Sequence, residues 1–195
     1  MLHNPIPFVV LAAVLSACNV QPELLNSELI QQRFGNYGVA VLQQESGVRR
    51  SSLYSTENGV RVCRTYAVVE FVDPVFSDLA STHEAVLDGQ SIGTTFRDAG
   101  WDIRKETMHI GDLQVPDSQH AIAQLMHLDA ATTLSLHVYR LMLEIDTQSV
   151  HYATVVESHH PLYLTEAELR ELYSVIVSSQ LGLDEVDAIV SLVLD

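Results

Sequence analysis

The stretch that decides the fold runs from Tyr37 to Val72 and reads YGVAVLQQESGVRRSSLYSTENGVRVCRTYAVVEFV. It holds three runs rich in β-branched and aromatic residues, separated by Ser46-Gly47 and Asn58-Gly59. Asn-Gly between alternating runs is a strong hairpin signal, because both residues of such a tight turn need positive φ. The stretch therefore predicts three antiparallel strands that follow one another as a meander.

Two-residue turns at both sites also predict the register of the meander. The Asn-Gly turn places Tyr54 opposite Cys63, and it places Ser52 opposite Thr65. The Ser-Gly turn places Val39 opposite Tyr54. Alternate residues of a strand share a face. One face of the meander is therefore expected to carry the side chains of Val39, Tyr54, Cys63, Ala67 and Val69.

Similar patterns continue outside this stretch. Alternation predicts a strand from Trp101 to Val115 and a second hairpin, Thr133–Ile145 with Val150–Glu157, around the loop 146–149. Apolar residues at helical spacing predict helices that begin at Asp73-Pro74, Ser91, Pro116-Asp117, Thr165 and Asp184, the one from Thr165 ending at Gly182. The whole pattern favours an α+β fold, with an antiparallel sheet of about six strands packed with helices.

Composition excludes some classes of protein. The chain has 195 residues, of which 47% are hydrophobic, so it has enough apolar content to form a packed core. Ten basic residues stand against 25 acidic ones, which gives a formal net charge of −15. Because proteins that bind nucleic acid need a basic surface, nucleic acid is not expected as a partner.

The N-terminal residues have the pattern of a targeting signal. Residues 1–18 read MLHNPIPFVVLAAVLSAC, and the apolar run from Ile6 to Leu15 is too short to cross a membrane, which takes about 20 apolar residues. The segment Leu15-Ser16-Ala17-Cys18 directly after that run resembles the lipobox of bacterial lipoproteins. The resemblance implies that the Cys18 thiol carries a diacylglycerol and that the chain is cut before it.

The resemblance also implies where the protein lies. It divides the chain into a signal peptide at 1–17, a lipidated Cys18 with a tether and short helix at 18–36, and a single α+β domain at 37–195. Asn19 follows the cysteine, which by analogy with enterobacterial lipoproteins favours the outer membrane. The expected location is the outer membrane, facing the periplasm and held there by the lipid anchor.

A possible nucleophile lies in the segment Gly89-Gln90-Ser91-Ile92-Gly93. It matches G-x-S-x-G, the nucleophile elbow of serine hydrolases, in which the serine follows a strand. Here residues 81–88 have a helical pattern, so Ser91 is predicted to cap the next helix. The alternative is an envelope serine hydrolase that uses Ser91, for which His83 is a further candidate catalytic residue.

Histidine is frequent, with nine in the chain, and neutral imidazole is a common metal ligand. No pair of histidines has the spacing of a recognised metal motif. His137 and His159 are expected to approach each other across the second hairpin, whose register pairs residues with numbers that add to about 295. These two histidines are therefore the candidate ligands of a divalent metal site.

Taken alone, the sequence favours a binding function. The expectation is a lipid-anchored, non-enzymatic binding, adaptor or assembly module of the cell envelope, without a cofactor and with a possible protein partner there. The serine hydrolase and the histidine-based metal binder remain the alternatives.

Overall fold

The computed structural model describes residues 24–73, 75–129, 132–173 and 183–194. The strands are β1 (Gly38–Glu45), β2 (Val48–Glu57), β3 (Val60–Phe71), β4 (Asp102–Gln114), β5 (Thr133–Ile145) and β6 (Gln148–His159). The α-helices are α1 (Asn26–Phe34), α2 (Ala80–Leu87), α3 (Ile92–Asp98), α4 (Ala121–Leu125), α5 (Glu166–Leu172) and α6 (Leu183–Leu194).

The six strands form one antiparallel sheet in the order β1-β2-β3-β6-β5-β4. It consists of two three-stranded meanders, β1–β3 and β4–β6, which join through the pairing of β3 with β6. The α+β class and the six-stranded antiparallel sheet expected from the sequence are thus confirmed.

The predicted register of the first meander is wrong in two places. Tyr54 does pair with Cys63, but Val39 pairs with Leu53 and Ser52 pairs with Tyr66. The cause is a bulge at Leu42 in β1 and another at Arg64 in β3. Each bulge adds one residue to one strand and so reverses which face the following side chains occupy. Val39 and Val69 therefore lie on the face opposite to that of Tyr54 and Cys63.

Four other boundaries differ from the sequence prediction. The helix expected from Pro116-Asp117 starts at Ala121. The helix expected from Asp73-Pro74 starts at Ala80, after a 3-10 turn at Ser77–Leu79. The second hairpin has a two-residue turn, 146–147, so β6 begins at Gln148. Helix α5 ends at Leu172 because Tyr173 adopts an extended conformation, and the predicted end at Gly182 lies outside the described residues.

Helices cover both faces of the sheet. The front face carries α1, α2, α3 and α5, whose buried residues include Ile30, Val86, Phe96 and Leu169. The back face carries α4, which packs on β3, and α6, which packs on β6. Their buried residues include Ile122, Met126 and Val193. The two faces thus have separate apolar clusters.

None of the helices in the described ranges is long and apolar enough to cross a membrane. The predicted signal peptide and Cys18 lie outside the described residues.

Candidate functional site

A cleft opens on the front face between the sheet and the first turns of α1 and α3. The space in it that the centre of a water-sized sphere can occupy is about 90 Å³. Leu25 and Asn26 form one side of its roof, and Ser91 and Gly93 form the other. The two sides touch, since a Cβ on Gly93 would lie 2.8 Å from Leu25 Cδ2. A glycine at this position therefore lets the two helices close the roof over the sheet.

The floor of the cleft is mostly apolar, with charged and polar groups at separate points. The apolar floor comes from strand residues on the front face, Val39, Leu53, Ala67, Val69, Ile103, Leu141 and Val155. The charged groups are Arg49, Lys105 and Glu157, and Tyr37 adds a phenol. Such a mixture of apolar surface with a few placed polar groups is typical of small-molecule sites.

Arg49 is 2% exposed and has no carboxylate partner among the described residues. Its Nε donates to Ser51 Oγ at 2.9 Å. One Nη donates to the carbonyl oxygens of Val86 and Gln90, at 2.8 and 3.0 Å. Burial lowers the pKa of the guanidinium. The charge is thus stabilised by carbonyl groups at the end of α2, where the helix dipole favours a cation.

At one end of the cleft, three ionisable side chains converge on the front face. His137 on β5 pairs directly with Glu157 on β6, and His159 lies two residues further along β6. The numbers of the paired residues here add to 294, one less than the predicted sum of 295. One ligand atom from each side chain lies within 4.8 Å of the other two, and all three side chains are buried. The structure therefore brings the two predicted histidines together and adds Glu157 to them.

Each imidazole of this trio has one bonded and one unbonded nitrogen. His137 Nε2 lies 3.0 Å from Thr107 Oγ1, and His159 Nδ1 lies 2.9 Å from Thr65 Oγ1. The remaining nitrogens, His137 Nδ1 and His159 Nε2, are buried without a hydrogen-bond partner among the described residues. His159 Nε2 lies 3.8 Å from Glu157 Oε2. Both residues with an unbonded nitrogen therefore belong to the cluster that includes the carboxylate.

Glu157 is held in place by helix α1. Asn26 Nδ2 donates to Glu157 Oε1 at 3.0 Å, and also to Thr65 Oγ1 at 3.1 Å. Tyr163 Oη in turn donates to Asn26 Oδ1 at 2.6 Å. The carboxylate thus has one oxygen bonded to Asn26 and the other directed at His159.

The surroundings keep both imidazoles neutral. Burial, with the ammonium of Lys105 as a second cause, lowers the pKa of His137 well below its ordinary value. Burial also lowers the pKa of His159, to about 4. The ring of His137 stacks on Tyr173 at 4.4 Å and contacts Tyr139 at 4.7 Å between centroids. Lys105 Nζ donates to Tyr173 Oη at 3.0 Å.

The structure does not join Ser91 to a histidine. Ser91 occupies the N-cap position of α3, but its side chain makes no capping hydrogen bond. Its Oγ lies 3.5 Å from Tyr37 Oη in the cleft. His83 Nδ1 lies 2.7 Å from Tyr152 Oη and its ring packs edge-on against Phe71. No hydrogen bond between the serine and any imidazole is present in the part of the chain that the structure describes.

Cys63 is a free, buried thiol on the back face. Burial raises its pKa to about 12, so almost none of it is the reactive thiolate at neutral pH. This placement favours a role in core packing.

Sequence reasoning missed Glu157 and the whole cleft. A signal for Glu157 did exist, because residues two apart on a strand share a face and Glu157 precedes His159 by two. The cleft had no comparable signal, because it forms where α1 and α3 meet a sheet that is distant in sequence. Comparison of the chain with models of protein families, with curated proteins and with solved structures found no match.

Proposed function

We propose that this protein is a lipid-anchored, non-enzymatic binding protein of the cell envelope, which takes a small molecule into the cleft on the front face. The single observation that carries the binding role is the lining of the cleft, an apolar floor with Arg49, Lys105 and Glu157 at separate points. Small-molecule sites are mostly apolar with a few placed polar groups.

The charges in the cleft favour a ligand with an apolar body and an anionic group. Two cations, Arg49 and Lys105, line the cleft with one carboxylate, Glu157. Arg49 is buried without an acidic partner among the described residues, and a buried cation favours a nearby anion. The apolar floor would contact the rest of the ligand.

The serine hydrolase has less support. A nucleophilic serine needs a base within hydrogen-bond distance, and the partner of Ser91 Oγ is the phenol of Tyr37. We expect a fluorophosphonate probe not to label the native full chain. Labelling that is lost in the Ser91→Ala variant would revive the hydrolase.

The binding role is tested by identifying what the protein carries. The full chain is extracted from its own membranes in detergent, and small molecules released from it are quantified by mass spectrometry. We expect one apolar, anionic compound to be present in near-stoichiometric amount. In the Val39→Trp variant the indole would fill part of the cleft, so the compound should be lost.

The matched control is Val41→Trp. Val41 lies two residues along the same strand and does not line the cleft, so this variant should retain the compound. If no compound is released, or if both variants retain it equally, the cleft is not its binding site and the proposal fails.

The lipid anchor is tested separately. Cells fed with an alkyne-tagged fatty acid should incorporate it into the wild-type protein, because lipoprotein acylation occurs at the lipobox cysteine. The Cys18→Ala variant should incorporate none. Equal labelling of both proteins would show that Cys18 is not the attachment site.

A further inference from the structure

We propose that His137, Glu157 and His159 form a binding site for one divalent transition-metal ion of the zinc class. The donor atoms are His137 Nδ1, His159 Nε2 and a carboxylate oxygen of Glu157. Among the proposed ligands, only Glu157 also lines the cleft.

The first argument is the two unbonded nitrogens. Buried polar atoms in folded proteins nearly always have a hydrogen-bond partner, and an atom without one is destabilising. Here His137 Nδ1 and His159 Nε2 both lack a partner within the described ranges, and the two residues belong to the same cluster with the carboxylate of Glu157. A metal ion would satisfy both nitrogens at once.

The second argument is the hydrogen bonding of the opposite ring nitrogens. Metal-binding histidines usually donate their other N–H to an oxygen, which fixes the tautomer and the ring orientation. His137 has Thr107 Oγ1 at 3.0 Å in that role, and His159 has Thr65 Oγ1 at 2.9 Å. With the N–H of each ring donated to its threonine, the other nitrogen of each ring carries a lone pair that can bind a metal ion.

The spacing of the donors is compatible with an ion between them. Donors at about 2.1 Å from a tetrahedral ion lie about 3.4 Å from one another. One ligand atom from each of the three side chains lies within 4.8 Å of the other two, so side-chain rotations would bring three donors onto the ion. Three protein ligands then leave one tetrahedral position for a water molecule.

The charge balance also favours a divalent ion. The carboxylate of Glu157 supplies a negative charge next to the two neutral rings. The nearby cation, Lys105, is engaged with Tyr173 Oη and with the faces of the Tyr139 and Tyr173 rings. Its ammonium is therefore held against these two tyrosines.

The donor set indicates the class of ion. Imidazole nitrogens suit Zn²⁺ and its neighbours in the first transition row, whereas Ca²⁺ and Mg²⁺ prefer oxygen ligands. Because Glu157 also lines the cleft, the ion can reach the cluster from the cleft.

The test is metal uptake by the full chain in detergent. The protein is stripped with a chelator and then dialysed against micromolar Zn²⁺, and separately against Mg²⁺. We expect one tightly held Zn²⁺ and no retained Mg²⁺. Binding of Co²⁺ in place of Zn²⁺ should give the intense visible absorption of a four-coordinate ion, without a thiolate band because no cysteine belongs to the donor set.

Three variants locate the ion. Glu157→Gln keeps the size of the side chain and removes the charged ligand, so Zn²⁺ affinity should fall by at least about 100-fold. Thr107→Val removes only the oxygen behind His137 and should weaken binding by about 10- to 100-fold. His151→Gln is the matched control, because His151 also has a buried nitrogen without a partner among the described residues, but lies outside the cluster.

The metal should also stabilise the wild-type protein, since an ion that binds only the folded state raises the melting temperature. This increase should be preserved in His151→Gln and absent in Glu157→Gln, with circular dichroism showing that both variants are folded. The proposal is overturned if wild type takes up no stoichiometric Zn²⁺, or if Glu157→Gln binds Zn²⁺ as tightly as wild type does.

Discussion

At the scale of single residues, buried charges in this protein are stabilised largely by uncharged groups. Arg49 donates to two carbonyl oxygens and a serine hydroxyl, and Glu157 accepts from the amide of Asn26. Buried charges need such hydrogen bonds, because burial removes the water that solvates them. Asn26 is thus a central residue of the polar part of the front face.

Replacement of Asn26 by alanine should therefore destabilise the fold. It leaves Glu157 Oε1 without its donor and Tyr163 Oη without its best acceptor, at 2.6 Å. We expect the free energy of unfolding to fall by about 2–3 kcal/mol, measured by urea denaturation. Gln32→Ala, an exposed position on the same helix, should change it by less than about 0.5 kcal/mol. Equal effects would show that the Asn26 hydrogen bonds contribute nothing specific.

The carboxylate of Glu168 makes a pH-dependent contribution to the stability of the folded protein. Its carboxylate accepts from the backbone N–H of Thr165 at 2.8 Å in a capping box, and this hydrogen bond lowers its pKa below the ordinary 4.5. A lowered pKa in the folded state means that the stabilisation is present at neutral pH. It is lost as the pH falls through that lowered pKa.

Glu168→Gln should accordingly be less stable than wild type by about 0.5 kcal/mol at pH 7. The difference should shrink toward zero as the pH falls through the acidic range, in denaturation curves recorded at several pH values. Glu171→Gln, at the other end of the same helix, should show no such loss. A difference for Glu168→Gln that does not change with pH would contradict the role of its charge.

At the scale of elements, strands were more predictable than the way they pair. Alternation and turn residues located β1 to β5 within one or two residues, because side-chain period and turn chemistry are local properties. The bulges at Leu42 and Arg64 reversed the predicted faces. They could not be predicted, because a bulge depends on packing against other elements and leaves no sign in the alternation of a strand. His137 and His159 were located from hairpin register alone, whereas the cleft needed the tertiary position of α1.

The turn between β2 and β3 offers a local test. Asn58 and Gly59 have φ values of 51° and 82°, and a Cβ on Gly59 would meet no atom within 4 Å. The free energy of unfolding of Gly59→Ala should thus be about 1–2 kcal/mol lower than that of wild type, from backbone strain alone. The decrease should be smaller for Gly59→Asn, because asparagine tolerates the left-handed backbone conformation. Thermal denaturation measures both, and equal losses would argue against a backbone origin.

At the scale of the whole molecule, the two halves of the sequence form the two halves of the sheet. The pairing of β3 with β6 joins them. These central strands are largely buried, whereas β1 lies at an edge and is exposed along most of its length. The order of the strands therefore sets a gradient of burial from the centre to the β1 edge.

This gradient predicts the order of local opening. Amide hydrogens of β3, β5 and β6 should exchange with solvent last, and those of β1 should exchange early, since exposed edge segments open at low free energy. Hydrogen exchange of the full chain in detergent, followed by mass spectrometry, measures this. Peptides from β1 that are protected as strongly as those from β3 would contradict the gradient.

The bulges at the two edges have a consequence for self-association. β1 is irregular at Leu42, and β4, the other edge strand, is irregular between Thr107 and His109. A regular, open edge strand can template the addition of a strand from another molecule, which leads to fibres. Because each outer ladder is interrupted, a strand from a second copy would lose register partway along either edge. We therefore expect copies of the chain to remain separate at high concentration.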